Sequence, residues 1–425
     1  MGNTTDQTIH DVLAGLVTLL IVGYALWLLI ARLRRSRPDL RIATPIIVAL
    51  MVRVLAAAAL SLTTIAETLR GGDELLFQDQ AHAISGSAFG SEAWLDALTG
   101  ALHKFVFALQ MWGLGSPELV LRIAQAGIAV AGLALLAAAV YELAGPRAAV
   151  IAAWLLALEP TGVFFSTLLH KEPNMMLAGG LVAFGGATLW NRGELRSLVP
   201  IVAGCLIAVA TRPYAGWFLI AAGAAIVLHA GLRRRRSASF RSLLLVSVVV
   251  VFAIVSAPTV WNASTNESLK QLQSSQEENV SNAQTNLNLE KVDFSTRGAV
   301  ITNLPIRIRD VLLRPYPWQL DDVSQQLGLL GTIVAYTTLA LLVAAFLSSR
   351  GTIMTRAGPL IYIAFFLLIA YSLSAGNAGT AFRYRTHVVV VAICVLVSLR
   401  LRPSTAADER GRRLPLPAGP PVPTP

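Results

Sequence analysis

Residues 43–81 read ATPIIVALMVRVLAAAALSLTTIAETLRGGDELLFQDQA. From Ala43 to Ala66 the only charged side chain is Arg53, and about 20 apolar residues are enough to cross a bilayer. The run ends at Glu67 and Arg70, passes through Gly71-Gly72 and delivers Asp73-Glu74. It reads as a membrane span that carries two carboxylates to the membrane–water boundary. The rest of the chain has the same character. Of 425 residues, 55% are apolar and 14% charged, with a mean hydropathy of +0.63. A soluble domain carries roughly 25% charged residues, so a soluble enzyme is excluded and a polytopic membrane protein is expected.

Eleven apolar segments are candidate spans: 12–31, 43–66, 118–143, 148–165, 174–190, 197–211, 216–231, 242–260, 326–348, 358–374 and 388–401. The pair 197–211 and 216–231 also reads as one unit broken at Arg212-Pro213, because proline interrupts a helix. The expected fold is all-α, with about 11 transmembrane helices in one domain over residues 1–402. A Pro-rich, disordered tail is expected over 403–425. The first span is not read as a cleaved leader, since Arg32, Arg34, Arg35 and Arg37 stand where a small-residue cleavage site belongs. Cys205 and Cys394 both lie in apolar runs, which argues against a disulfide framework or a zinc cluster.

Placing the N-terminus outside puts 20 of the 34 basic residues in cytoplasmic turns and the cytoplasmic C-terminal tail, as the positive-inside rule requires. Two long extracytoplasmic segments then emerge, 67–117 and 261–325. The net charge of +10 comes almost wholly from Arg in an Ala-rich chain. That pattern points to a GC-rich bacterial source and a multi-pass plasma-membrane protein, with no nucleic-acid partner.

Four outer stretches carry candidate chemistry. Asp73 and Glu74 can act as a general base on an acceptor or hold a divalent cation; a solvated helix start also accounts for them. In His170-Lys171-Glu172-Pro173, Lys171 suits a phosphate and Glu172 a pairing or acceptor role, with interfacial anchoring as the alternative. Arg212-Pro213-Tyr214 offers a planar fork for phosphate oxygens. Arg383-Tyr384-Arg385 with His387 follows a Gly376-x-x-Gly379 lead that lets backbone approach a ligand. Two arginines outside run against the positive-inside bias. An anionic lipid-linked donor explains them, and headgroup anchoring is the other reading. In the second long segment, Arg307, Arg309 and Arg314 lie near Tyr316 and Trp318, suited either to clamping a sugar or to lying in the interface. Arg53, expensive in lipid, is expected to pair with Glu142 or Glu159.

An Asp-Glu, two residues, an aromatic at Phe77, three residues and Ala81, directly after an early span, resembles the first extracytoplasmic loop of the GT-C superfamily of membrane glycosyltransferases, such as the aminoarabinose and protein O-mannosyl transferases. Phe77 stands where that family more often has Tyr, and one additional span precedes the motif. The likeness extends through Arg122, Tyr141-Glu142-Leu143-Ala144-Gly145 and Leu158-Glu159-Pro160, over roughly residues 43–230. It implies a GT-C-like fold, a catalytic role for Asp73 with Glu74 beside it, and a polyprenyl-phosphate-type sugar donor in the membrane. Lys171, Glu172, Arg212, Tyr214, Arg383, Tyr384, Arg385 and His387 are then the substrate-binding candidates. A divalent cation remains an open cofactor. An O-antigen-type polymerase or ligase is the alternative function, and a lipid-linked sugar transporter a further one.

Overall fold

The computed structural model describes residues 2–63, 72–115, 117–233, 269–270, 273–274, 277–278, 289–320, 326, 328–349 and 351–401. The expected span at 242–260, the Arg234–Arg236 run with Arg241, the 403–425 tail, and residues 67–71, 261–268, 279–288 and 321–325 of the outer segments lie outside them. Among the described residues the chain forms fifteen α-helices, two short 3-10 turns and no sheet.

The N-terminal pair is α1 (Gly2–Arg35) and α2 (Ala43–Leu62). Three short helices follow: α3 (Gly72–Ser85), α4 (Glu92–Gly100) and α5 (Leu102–Leu114). The central rod is α6 (Glu118–Ala144), followed by α7 (Pro146–Leu158) and α8 (Pro160–Thr167). Next come α9 (Glu172–Arg192), α10 (Leu198–Thr211) and α11 (Pro213–Arg233). The C-terminal part comprises α12 (Arg297–Leu313), α13 (Leu329–Ser348), α14 (Ile353–Ser374) and α15 (Ala378–Arg400).

Seven of these helices, α1, α2, α6, α11, α13, α14 and α15, are long and apolar enough to cross a membrane, and α7 with α8 makes an eighth if the bent pair is one span. The chain is therefore a multi-pass, all-α membrane protein. The expected eleven spans are reduced among the described residues for physical reasons. Segment 148–165 is bent by 59° where Glu159 meets Pro160. Segment 197–211 is a helix of only 14 residues. Helix α9 is long enough at 21 residues, but Glu172, Asn174 and four glycines dilute its hydropathy.

Burial sorts the helices into layers. In α6 and α15, 83% of the spanning window is buried, against 22% in α1 and 28% in α13. The outer helices turn large apolar side chains outward, including Leu20 and Trp27 on α1, Leu206 on α10 and Val343 on α13. In water such a surface would aggregate; in hydrocarbon it is the solvated face. Helix α6 packs against α1, α2, α9 and α15. Its closest approach is to α9, where a Cβ on Gly132 would lie 2.5 Å from the Met176 carbonyl oxygen, and one on Gly180 2.5 Å from that of Gly132. Small residues let helix backbones meet where no hydrophobic force from water drives them together.

The break at Glu159-Pro160 is stitched from both sides. The Glu159 carboxylate accepts the Thr161 and Gly162 backbone N–H groups at the start of α8. Arg53 donates to the Ala157 carbonyl at the end of α7 (3.1 Å), to Ala49 (3.0 Å) and to Ser166 Oγ (2.9 Å). This intramembrane cation thus ties α2 to the carbonyl left open at the end of α7 and to α8, within electrostatic reach of the expected partner Glu159. The expected pairing with Glu142 does not form: Glu142 sits at the other end of α6, bound by Arg37 at 2.6 Å and Arg192 at 2.8 Å. At the opposite end, Arg122 holds Glu74 at 2.6 Å and Glu118 at 2.5 Å. Along α6, Glu142 and Arg122 are 20 residues and so about 30 Å apart.

Candidate functional site

Four separate turns converge at the Arg122 end of the bundle. Asp73 and Phe77 come from the start of α3. His170 and Lys171 occupy the turn between α8 and α9. Arg212 is the single residue joining α10 to α11, forced out of helix by Pro213, and Tyr214 follows it. Arg383 and Tyr384 sit in the second turn of α15, which Asn377 caps by accepting the Thr380 N–H at 2.8 Å. The Gly376-x-x-Gly379 lead thus frames a helix start. Together these side chains line a cavity of about 140 Å³.

Its floor is an ionic hub. Glu172 is fully buried; its Oε1 accepts from Arg212 Nη2 at 2.5 Å and lies 3.2 Å from Arg383 Nε. Arg383 also reaches Asp73 Oδ2 at 3.2 Å, so one guanidinium bridges a buried carboxylate and a half-exposed one. Tyr214 donates to, or accepts from, the Tyr384 hydroxyl at 2.6 Å, and Arg212 lies 4.8 Å over the Tyr384 ring. Tyr371 stacks behind Tyr384 at 4.7 Å. On the facing wall, Lys171 Nζ lies 5.2 Å over the Phe77 ring, which meets His170 and His103 edge-on.

The charge balance favours an anion. Lys171, Arg212 and Arg383 face the same small space, whereas Asp73 is the only lining carboxylate among the described residues. Burial, reinforced by Arg212 and Arg383, pushes the Lys171 amine down to about 8. Burial likewise holds the His170 imidazole down at about 4, so it is neutral at physiological pH. The sign for Lys171 is definite. Between pH 8 and 10.5 the unfolded chain holds a proton that the folded chain has lost, so Lys171 makes stability rise with pH in that window. Anion binding goes the other way. We expect affinity for inorganic phosphate to fall about tenfold as pH climbs above 8, and Lys171→Arg to remove that fall. A titration of inorganic phosphate binding from pH 7 to 10 measures both, and a flat wild-type profile would contradict it.

Six of the substrate or catalytic candidates line this cavity: Asp73, Lys171, Arg212, Tyr214, Arg383 and Tyr384. Glu172 lies beneath it as the anchor of two guanidiniums. Three candidates point elsewhere. Glu74 is buried against Arg122 and accepts the Leu169 N–H at 3.2 Å. Arg385 donates to Thr332 Oγ1 at 2.9 Å and to the Leu312 carbonyl at 3.1 Å, tying α15 to α13 and α12. His387 stacks on Tyr371 at 5.7 Å, one layer behind the wall. Arg309 and Arg314 are engaged with Asp310 and Glu290, and Tyr316 stacks on Trp318 at 4.8 Å, away from the lining. Phe77 and His170 were visible in the motifs yet were not nominated, and Tyr371 gives no sequence signal at all.

A divalent cation does not fit this donor set. Among the described residues no three His, Cys, Asp or Glu side chains converge. The two nearby carboxylates, Asp73 and Glu172, are both turned to the Arg383 guanidinium.

Fold and site together define a multi-pass α-helical membrane protein with a cation-lined cavity at one end of its bundle. No protein-family model matches the sequence, and no curated protein matches it. Among solved structures it is similar to the archaeal oligosaccharyltransferase AglB from Archaeoglobus fulgidus in complex with an inhibitory peptide and a dolichol-phosphate. The TM-score is 0.44 and the identity 14%, over 86% of this chain. The alignment covers 50% of that chain, so this protein spans about half its length.

Proposed function

We propose that the protein is a GT-C-type membrane glycosyltransferase that moves a sugar from a polyprenyl-phosphate-type lipid to an acceptor on the extracytoplasmic side. The observation that carries this reading is the meeting of one half-exposed carboxylate, Asp73, with three cations in one cavity at the membrane boundary. At about 140 Å³ the cavity is smaller than the roughly 300–1,000 Å³ of sites that enclose a whole small molecule. It matches a phosphate and the carbon bonded to it. Arg-rich turns at the other end of the bundle support an outward-facing cavity under the positive-inside rule. Nucleotide sugars are absent there, so a lipid carrier supplies the donor.

In this mechanism the acceptor hydroxyl oxygen attacks the anomeric carbon while the bond from that carbon to the phosphate oxygen breaks. The bonding pair leaves on the phosphate, where Arg212, Arg383 and Lys171 meet the developing charge. Stabilisation of this kind is usually the largest catalytic contribution. Asp73 receives the acceptor's proton, and Arg383 at 3.2 Å orients its carboxylate.

The test is transfer in proteoliposomes from radiolabelled polyprenyl-linked sugars. The expected result is transfer by the wild type and a loss of about 10²–10⁴-fold in Asp73→Asn. A polymerase or ligase of O-antigen type is the second reading, favoured by Arg212 and Arg383 converging from separate outer turns on Glu172. In that case Asp73→Asn keeps its activity and loss follows the arginines. Movement of intact lipid-linked sugar across the bilayer without transfer would make the protein a transporter.

A further inference from the structure

At the opposite end of the bundle from Asp73, α1 and α2 do not close on each other. Between them runs a groove of about 300 Å³, floored by Leu26, Ile30, Ile46 and Leu50 and opened by the absence of a side chain at Gly23. Among the described residues its only charged lining side chain is Arg34. From Gly23 to Arg34 the helix advances 11 residues, about 16 Å, and half a bilayer's hydrocarbon core is about 15 Å. Gly23 sits near the middle of the span Ile9–Arg35 and Arg34 at its end. The groove is therefore one leaflet deep, apolar along its length and cationic at headgroup level.

The charge at its mouth is uncompensated. Arg37 and Arg192, at the same end of the bundle, share the Glu142 carboxylate. Arg34 makes no ion pair or side-chain hydrogen bond among the described residues, although it lines the groove. We infer that this groove is a binding site for one anionic glycerophospholipid of the Arg-rich leaflet, with an acyl chain between α1 and α2 and the phosphate on Arg34. The occupant is not the sugar donor's carrier, because the cavity that takes the donor phosphate is at the other end of α2. The two sites can be filled together, and the inference stands without the glycosyltransferase reading.

Gly23 supplies a clean probe. A Cβ there meets nothing within 4 Å, so a side chain at Gly23 starts into open space, and Gly23→Leu places three further carbons in the groove region. The full-length protein would be taken into nanodiscs holding equal phosphatidylglycerol and phosphatidylcholine of one chain length, and lipids retained on release would be read by native mass spectrometry. The wild type should retain one phospholipid with about a fivefold preference for phosphatidylglycerol, the worth of one basic residue near an anionic headgroup. Arg34→Gln should keep a lipid and lose the preference. Gly23→Leu should lose the lipid while unfolding at the wild-type temperature. Three results would overturn the site: no headgroup preference in the wild type, undiminished retention in Gly23→Leu, or a wild-type dimer that Gly23→Leu turns into monomer. The last would give the groove to a second copy of the chain.

Discussion

Replacing Glu172 by Ala is expected to destabilise the protein by about 3–5 kcal/mol, the usual cost of breaking a buried ion pair from one side. Glu172 is 0% exposed and serves two guanidiniums at once, Arg212 at 2.5 Å and Arg383 at 3.2 Å. Without it Arg212, only 3% exposed, loses the carboxylate it faces, and Arg383 keeps Asp73 as its carboxylate partner. The damage spreads, because Arg212 also rests on Tyr384, and Tyr384 is fixed by Tyr214 and Tyr371. Thermal unfolding in detergent measures the loss. The same geometry predicts a rescue: inorganic phosphate binds the stranded cations in the folded state only, so it should raise the melting temperature of Glu172→Ala more than that of the wild type. A variant that melts with the wild type, with or without phosphate, would show that Glu172 is not the hub of this site.

Much of this arrangement is legible in the residues. A proline after Arg212 ends one helix and starts the next, so an outer arginine at that corner follows from sequence alone. Asp73, Lys171 and Arg383 can be placed at one membrane face because spans of known length separate them. Hydropathy falters where it reads composition without continuity. Residues 148–165 carry no charge except Glu159, yet Glu159-Pro160 bends the run by 59°, since Pro160 has no N–H and Glu159 caps the next helix. Azimuth is the second limit. Neighbouring helical residues are about 100° apart, so Arg383 can face the cavity while Arg385, about 200° further round, faces Thr332. Which of the two turned inward depends on what α13 and α12 present to α15, and no local motif records that.

The same rotation separates the two carboxylates at the head of α3, and their substitutions should fail in different ways. Asp73 is 56% exposed at the cavity mouth, touching only Arg383 at 3.2 Å among the ion pairs of the described residues. Asp73→Asn is isosteric and removes a partly solvated charge, so its stability should stay within about 0.5 kcal/mol of wild type while transfer collapses. Glu74 is 1% exposed and pairs with Arg122, itself 0% exposed, at 2.6 Å. It also accepts the Leu169 N–H in the turn that carries His170 and Lys171. Glu74→Gln leaves Arg122 with Glu118 and the Thr167 carbonyl and weakens the tie between α3, α6 and that turn. It should cost about 2–4 kcal/mol of stability and lower transfer only through the displaced Lys171. The two variants are told apart by pairing a melting curve with transfer measured well below the melting point. A Glu74→Gln protein that melts normally but transfers nothing would move the proton acceptor from Asp73 to Glu74. An Asp73→Asn protein that melts early would make Asp73 a structural brace for Arg383.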